Sequence, residues 1–193
     1  MNKKLISALT AAAALGFAAP ATAGFFDLHL DPYVTASVGQ GTINEFCNTG
    51  GFACDDSDIG FKGAVGMVVN DYISMEVGYV DLGKYDFSGF GATGSVEVNG
   101  MTFHALGTYP VNDDFKLYLR GGFGILHTDI KSNVALPVEE TDLEFGVGLG
   151  MQYNFTKAVG MRLEWERYMN VGDRATTGDS EIDFVSAGLV YTF

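Results

Sequence analysis

A handful of charged residues interrupt runs that are otherwise apolar, and their spacing gives them a common chemistry. Glu76 stands between Met75 and Val77, Arg120 follows Leu119, and Arg162 and Glu164 flank Leu163. In an extended chain, neighbouring residues point to opposite faces, so these charges lie across the strand from the apolar side chains beside them. Lys62, Lys116 and His104 occupy equivalent places. Charges shut away from water are costly unless paired and hydrogen-bonded. Glu76, Arg120, Arg162 and Glu164 are therefore expected either to form a fixed ion-pair network or to line a narrow pore.

Other reactive residues are few. Cys47 and Cys54, the only two cysteines, are separated by six residues and suit a disulfide stapling one loop. The other use of two thiols, half of a zinc site, lacks a nearby histidine or second cysteine pair. Of His29, His104 and His127, only His127 falls on an apolar face close to Thr128 and Asp129. An enzyme acting on lipid would need a nucleophile and a base together at such a rim. One histidine is a thin basis for that, and no catalytic residue is assigned. The acids at Asp55, Asp56, Asp58, Glu139, Glu140 and Asp142 match no cation-binding loop, so no metal or cofactor is expected.

The elements that must position these residues begin after an export signal. Lys3 and Lys4 precede an apolar run from Leu5 to Ala19, and Ala21-Thr22-Ala23 supplies a small-x-small cleavage pattern. Residues 1–23 read as a cleaved signal peptide and 24–193 as one domain. Losing the two lysines takes the formal charge from −13 to −15, which excludes nucleic acid as a partner. Beyond the signal there is no apolar run long enough for a membrane helix. A chain rich in glycine and aromatics (26 Gly, 15 Phe, 9 Tyr) can then cross a membrane only as a closed barrel, which alone among sheets pairs every backbone group in lipid.

At period two the remainder resolves into eight segments: Tyr33 to Gln40, Ile59 to Val69, Ile73 to Tyr79, Val98 to Tyr109, Phe115 to Ile125, Leu143 to Tyr153, Val159 to Glu166 and Val185 to Phe193. The sixth is the cleanest, with Leu143, Phe145, Val147, Leu149 and Met151 set against Glu144, Gly146, Gly148 and Gly150. Short turns (Asn70-Asp71, Pro110 to Asp114, Asn154 to Lys157) alternate with long polar loops (Gly41 to Asp58, Asp81 to Glu97, Thr128 to Thr141, Tyr168 to Ile182). That rhythm belongs to outer-membrane barrels. Alternation alone also fits a lipocalin-like barrel with its apolar face inward. Tyr79, Tyr109, Tyr153, Trp165, Tyr191 and Phe193 at the strand ends suit interfacial girdles on an apolar outer face. The predicted fold is all-β, an eight-stranded antiparallel up-and-down transmembrane β-barrel.

Met75-Glu76-Val77-Gly78-Tyr79, then Tyr109-Pro110-Val111-Asn112-Asp113-Asp114, then Arg162-Leu163-Glu164-Trp165 and Ser186-Ala187-Gly188-Leu189-Val190-Tyr191-Thr192-Phe193 occur in an order and spacing that resemble the OmpA-like transmembrane domain family. The ending also resembles the signal read by the outer-membrane assembly machinery, through Ser186, Gly188, Tyr191 and Phe193. The resemblance implies an integral protein of the Gram-negative outer membrane. Its partners would be outer-membrane lipids and lipopolysaccharide, the barrel assembly machinery and periplasmic chaperones, with the barrel a monomer. The family carries a charge-exchange gate in the lumen. Glu76 and Arg162 match one acid and one base, while Leu106 and Gln152 stand where the alternative partners would be, so partner switching is not expected here. The family's full-length members also carry a peptidoglycan-binding domain, which this sequence does not show.

Three functions follow as expectations: an envelope-structural or narrow-pore role without enzymatic activity, a loop-mediated surface-interaction role, and a lipid A-modifying enzyme. The second draws on the disulfide-stapled first loop and on Tyr85, Phe87 and Phe90 in the second outer loop as exposed anchors, against the reading, favoured on sequence, that these aromatics pack among lipid headgroups.

Overall fold

The computed structural model describes residues 30–44, 52–89, 92–134, 136–171 and 180–193. The signal peptide, His29, Cys47, Phe90 and the side chain of Cys54 lie outside the described residues, and with them the expected disulfide.

Among the described residues there are nine strands: β1 Asp31–Asn44, β2 Phe52–Asp55, β3 Ser57–Asn70, β4 Ile73–Gly89, β5 Ala92–Pro110, β6 Phe115–Ser132, β7 Val138–Asn154, β8 Val159–Val171 and β9 Ser180–Thr192. Eight pair with their neighbours in chain order, all antiparallel, and β1 closes the cylinder against β9 from Tyr33↔Thr192 to Asn44↔Glu181. The short β2 pairs only with the tip of β4, from Phe52↔Gly89 to Asp55↔Asp86. Closure removes sheet edges from the lipid zone, where an unpaired backbone group would cost several kcal/mol, on the order of 2–7.

The turns opposite that tip are held by their own side chains. Asn112 Oδ1 accepts from the amides of Asp114 (3.0 Å) and Phe115 (2.8 Å), and Thr156 Oγ1 from those of Ala158 and Val159. Such Asx and hydroxyl turns let the chain reverse in a few residues. The three short connections therefore fall where the sequence puts them.

Exposure settles which face is apolar. Phe61 is 59% exposed, Leu119 68%, Leu149 51% and Leu189 62%, whereas Lys62, Glu76, Arg120 and Glu164 are buried. The apolar residues form the outer wall and the charges the lumen, so the lipocalin-like alternative is excluded.

The second and third outer connections are shorter than the sequence suggests. β4 and β5 run on as a hairpin to Gly89 and Ala92, and β6 and β7 continue to Ser132 and from Val138. The apolar phase reverses at the outer rim. In β4, Met75, Val77 and Tyr79 face out, but Val80, Leu82 and Tyr85 face in; in β5, Val96 and Val98 face in and Met101 out. Above the lipid the sheet meets water outside and must bury its apolar face inside, as a soluble barrel does. Tyr85 is accordingly 1% exposed, and Phe87 packs against the same inner cluster. The expectation of Tyr85 and Phe87 as exposed loop-tip anchors is thereby corrected. Gly83, with φ of 97°, makes the bulge between Asp81 and Lys84 that adjusts β4 as it leaves the membrane zone.

The lumen as candidate functional site

The interior is built in three tiers. Nearest the short turns is an open vestibule of about 590 Å³ whose polar walls include Asp31, Asn70, Lys116, Gln152, Asn154 and Arg162. Lys116 therefore faces inward as expected, but it lines the vestibule rather than joining the charge cluster.

The middle tier is an ion-pair network. Arg120, from β6, bonds Glu164 Oε1 at 2.9 Å and Glu166 Oε1 at 2.7 Å through Nη1, and its Nη2 lies 3.5 Å from Glu76. Lys62 of β3 pairs with both Glu164 and Glu166, and Arg162 of β8 pairs with Glu76 of β4. Three bases and three acids thus balance, from four strands, all buried in the narrow lumen, with Arg162 at its vestibule end. Tyrosine hydroxyls complete the acids: Tyr33 donates to Glu76 (2.8 Å), Tyr118 to Glu164 (2.7 Å) and Tyr168 to Glu166 (2.8 Å). The Arg162 guanidinium also lies over the Tyr33 ring at 5.0 Å and the Tyr118 ring at 5.2 Å. His104 places Nδ1 2.9 Å from Arg120 Nη2.

The glycines of β7 make this crowding possible. A Cβ on Gly150 would collide with the Tyr118 ring, and one on Gly148 would come 2.9 Å from Arg120 Cγ. The inner wall of β7 is bare so that side chains from β6 and β8 can reach across it.

The four residues singled out from the sequence all meet in this tier. Lys62, placed on the inner face by strand parity, belongs with them, and so does Glu166, which is not singled out from the sequence although it shares the parity of Arg162 and Glu164. What parity could not give was the distance across the barrel that makes Glu166 a partner of Lys62 and Arg120. Gln152 Oε1 accepts from Arg162 Nε at 2.7 Å, so a neutral group holds the arginine where the family pattern has an acid.

The third tier is apolar. Val80, Leu82, Val98, Leu126, Tyr168, Ile182 and Phe184 are at most 1% exposed and pack into one cluster with Ile43, Tyr85, Val96 and Val171. The Tyr85 hydroxyl donates to the carbonyl of Leu82 at 2.8 Å, and its burial, helped by Asp58 and Asp81, pushes the phenol pKa up.

His127 stands apart, outside the barrel. Its Nδ1 lies 2.9 Å from Thr141 Oγ1 and its Nε2 3.7 Å from Asp129 Oδ1. Thr128, grouped with it by sequence, points inward and is buried. The assembly-signal residues divide by parity: Ser186 is buried, and Gly188 on the same face packs against Ser37. Tyr191 and Phe193 are outward and meet edge to face at 5.1 Å.

Known proteins share this pattern. The profile of the OmpA-like transmembrane domain matches residues 29–193. Outer membrane protein A of Escherichia coli O157:H7 is 30% identical over 83% of this chain and 47% of its own length; that of Salmonella typhi is 31% identical over 72% and 41%. The chain thus spans less than half the length of these relatives. In fold it is similar to Neisserial surface protein A (TM-score 0.57, 16% identity, 84% of this chain and 97% of that one) and to the N-terminal β-barrel domain of Pseudomonas aeruginosa OprF (TM-score 0.56, 12% identity, 84% and 97%). With charges inside, lipid-facing residues outside and the family profile spanning all eight barrel strands, the chain is an integral outer-membrane β-barrel that belongs to the OmpA-like transmembrane domain family.

Proposed function

We propose that this barrel is a sealed, non-enzymatic element of the outer membrane whose lumen does not conduct. The observation that carries the reading is the stacking of two different seals: a charge-balanced network with every ionised partner engaged, and above it an apolar plug at most 1% exposed at Leu126, Ile182 and Phe184. An ion entering from the vestibule must first separate paired charges and then cross an apolar layer, and each step is costly without compensation. A porin-like role is therefore disfavoured against an envelope-structural one. Purified protein in liposomes with an ion-sensitive dye tests this: no flux above protein-free vesicles is expected, and flux that scales with protein content would overturn it.

The partners follow the same reading. Outer-membrane lipids and lipopolysaccharide contact the apolar wall, and Ser186, Gly188, Tyr191 and Phe193 serve the assembly machinery and the chaperones that deliver the chain. A surface-interaction role stays secondary. The Ail protein of Yersinia pestis has a similar fold (TM-score 0.54, 15% identity, 84% of this chain and 98% of that one), but fold alone carries no ligand across. Here the expected aromatic anchor Tyr85 is buried.

A further inference from the structure

On the outer surface of β6 and β7, above the lipid-facing wall, three side chains bring one ring nitrogen and two carboxylates together. Ligand atoms of His127, Asp129 and Glu139 lie within 4.8 Å of one another. The strand ladder holds them, since His127 is paired with Thr141 and Asp129 with Glu139. On the other side of β6, Glu97 is the cross-strand partner of Asp129, so carboxylates occupy the same row of three successive strands. Like charges placed directly opposite destabilise a sheet. Lys131, 3.8 Å from Asp129, and Lys84, the cross-strand partner of Glu97, offset part of that row, and Glu139 at its end faces neither.

The imidazole is oriented for ligation. Its Nδ1 engages Thr141 Oγ1 at 2.9 Å, and its Nε2 is directed towards Asp129 at 3.7 Å. Metal-ligating histidines characteristically have one nitrogen fixed by such a partner while the other binds. We propose that His127, Asp129 and Glu139 form a Zn²⁺ site at the outer rim, with the fourth coordination position open to water. Zinc bonds of about 2.0–2.2 Å in a tetrahedron set donors roughly 3.4 Å apart. The His127–Asp129 separation is already close to that, and the exposed Glu139 closes the remainder by rotating its side chain. A nitrogen donor beside two carboxylates favours zinc over calcium or magnesium, which take oxygen ligands. The position is set by Ile125 and Leu143, the outermost lipid-facing apolar residues of β6 and β7, which lie just below His127 and Thr141.

Calorimetric titration of the untagged, detergent-solubilised barrel with zinc chloride tests the site. One saturable zinc per chain is expected, unaffected by excess calcium. His127→Ala and Glu139→Gln should each weaken it by at least about tenfold, and Thr141→Val by about tenfold. These residues are on the surface, and an unchanged heat-dependent gel shift would establish that each variant is folded. Failure of the parent to bind zinc would overturn the proposal. So would binding that survives His127→Ala, or displacement of zinc by calcium.

Discussion

The middle and upper tiers of the lumen solve the same packing problem with opposite chemistry. Where the wall faces lipid, the interior is Lys62, Glu76, Arg120, Arg162, Glu164 and Glu166; where the wall faces water, it is Val80, Leu82, Leu126, Ile182 and Phe184. An apolar interior in the lipid zone would leave strands apolar on both faces and indifferent to which face turned outward. Charges inside settle that choice, because turning each Lys or Arg to lipid costs about 2–4 kcal/mol near the midplane, and each Glu somewhat less. Above the rim, water makes the same choice for a polar outer face, and the apolar residues move inside.

The difference predicts how each tier fails. In the network, Glu164→Ala leaves Lys62 and Arg120 short of a shared acid, and a loss of about 3–5 kcal/mol is expected in urea unfolding from lipid vesicles. Replacing both members of a pair, Glu76→Leu with Arg162→Met, should cost much less than Glu76→Leu alone. If the double replacement were the worse of the two, the pair would not be behaving as a desolvated ion pair. The apolar tier should respond to volume instead: Leu126→Ala is expected to cost about 2–5 kcal/mol by opening a cavity, and Leu126→Met under about 1.5. Equal losses for both would show that packing does not govern this layer.

Smaller effects mark the boundary between the tiers. Gly83→Ala forces a side chain into a left-handed backbone and brings its Cβ 2.9 Å from that of Asp58, so about 1–3 kcal/mol is expected by the same unfolding measurement. Smallest of all, the half-exposed pair of Arg167 with Asp183, at 2.7 Å, should contribute about 0–1 kcal/mol, and a double-mutant cycle would read it.

The sequence made the lipid-zone part of this legible because one parity rule holds there. Counting alternate residues from Leu143 to Met151 puts Glu144, Gly146, Gly148 and Gly150 inside, and the structure places them there. The same rule misread the upper strands. At Tyr79–Val80 and Ile125–Leu126 the apolar residues change face without any break in the strand, and a reader following one apolar face takes the change for a loop. For the site, parity put Glu166 inside, but its pairing with Lys62 depends on the diameter of the closed barrel, which no local pattern carries. Tyr33 and Tyr118 were likewise on the inner face, yet their reach to Glu76 and Glu164 becomes visible only once Gly66 and Gly150 are seen to make room for their rings.

The claim that two independent seals close the lumen is tested most directly by single-channel recording in planar bilayers. The parent, the network variant Glu164→Gln and the plug variant Leu126→Ala/Phe184→Ala should each be silent, because one seal remains in every case, and only the combined triple variant should conduct. Reproducible conductance steps from the parent, or from either single-tier variant, would contradict the account.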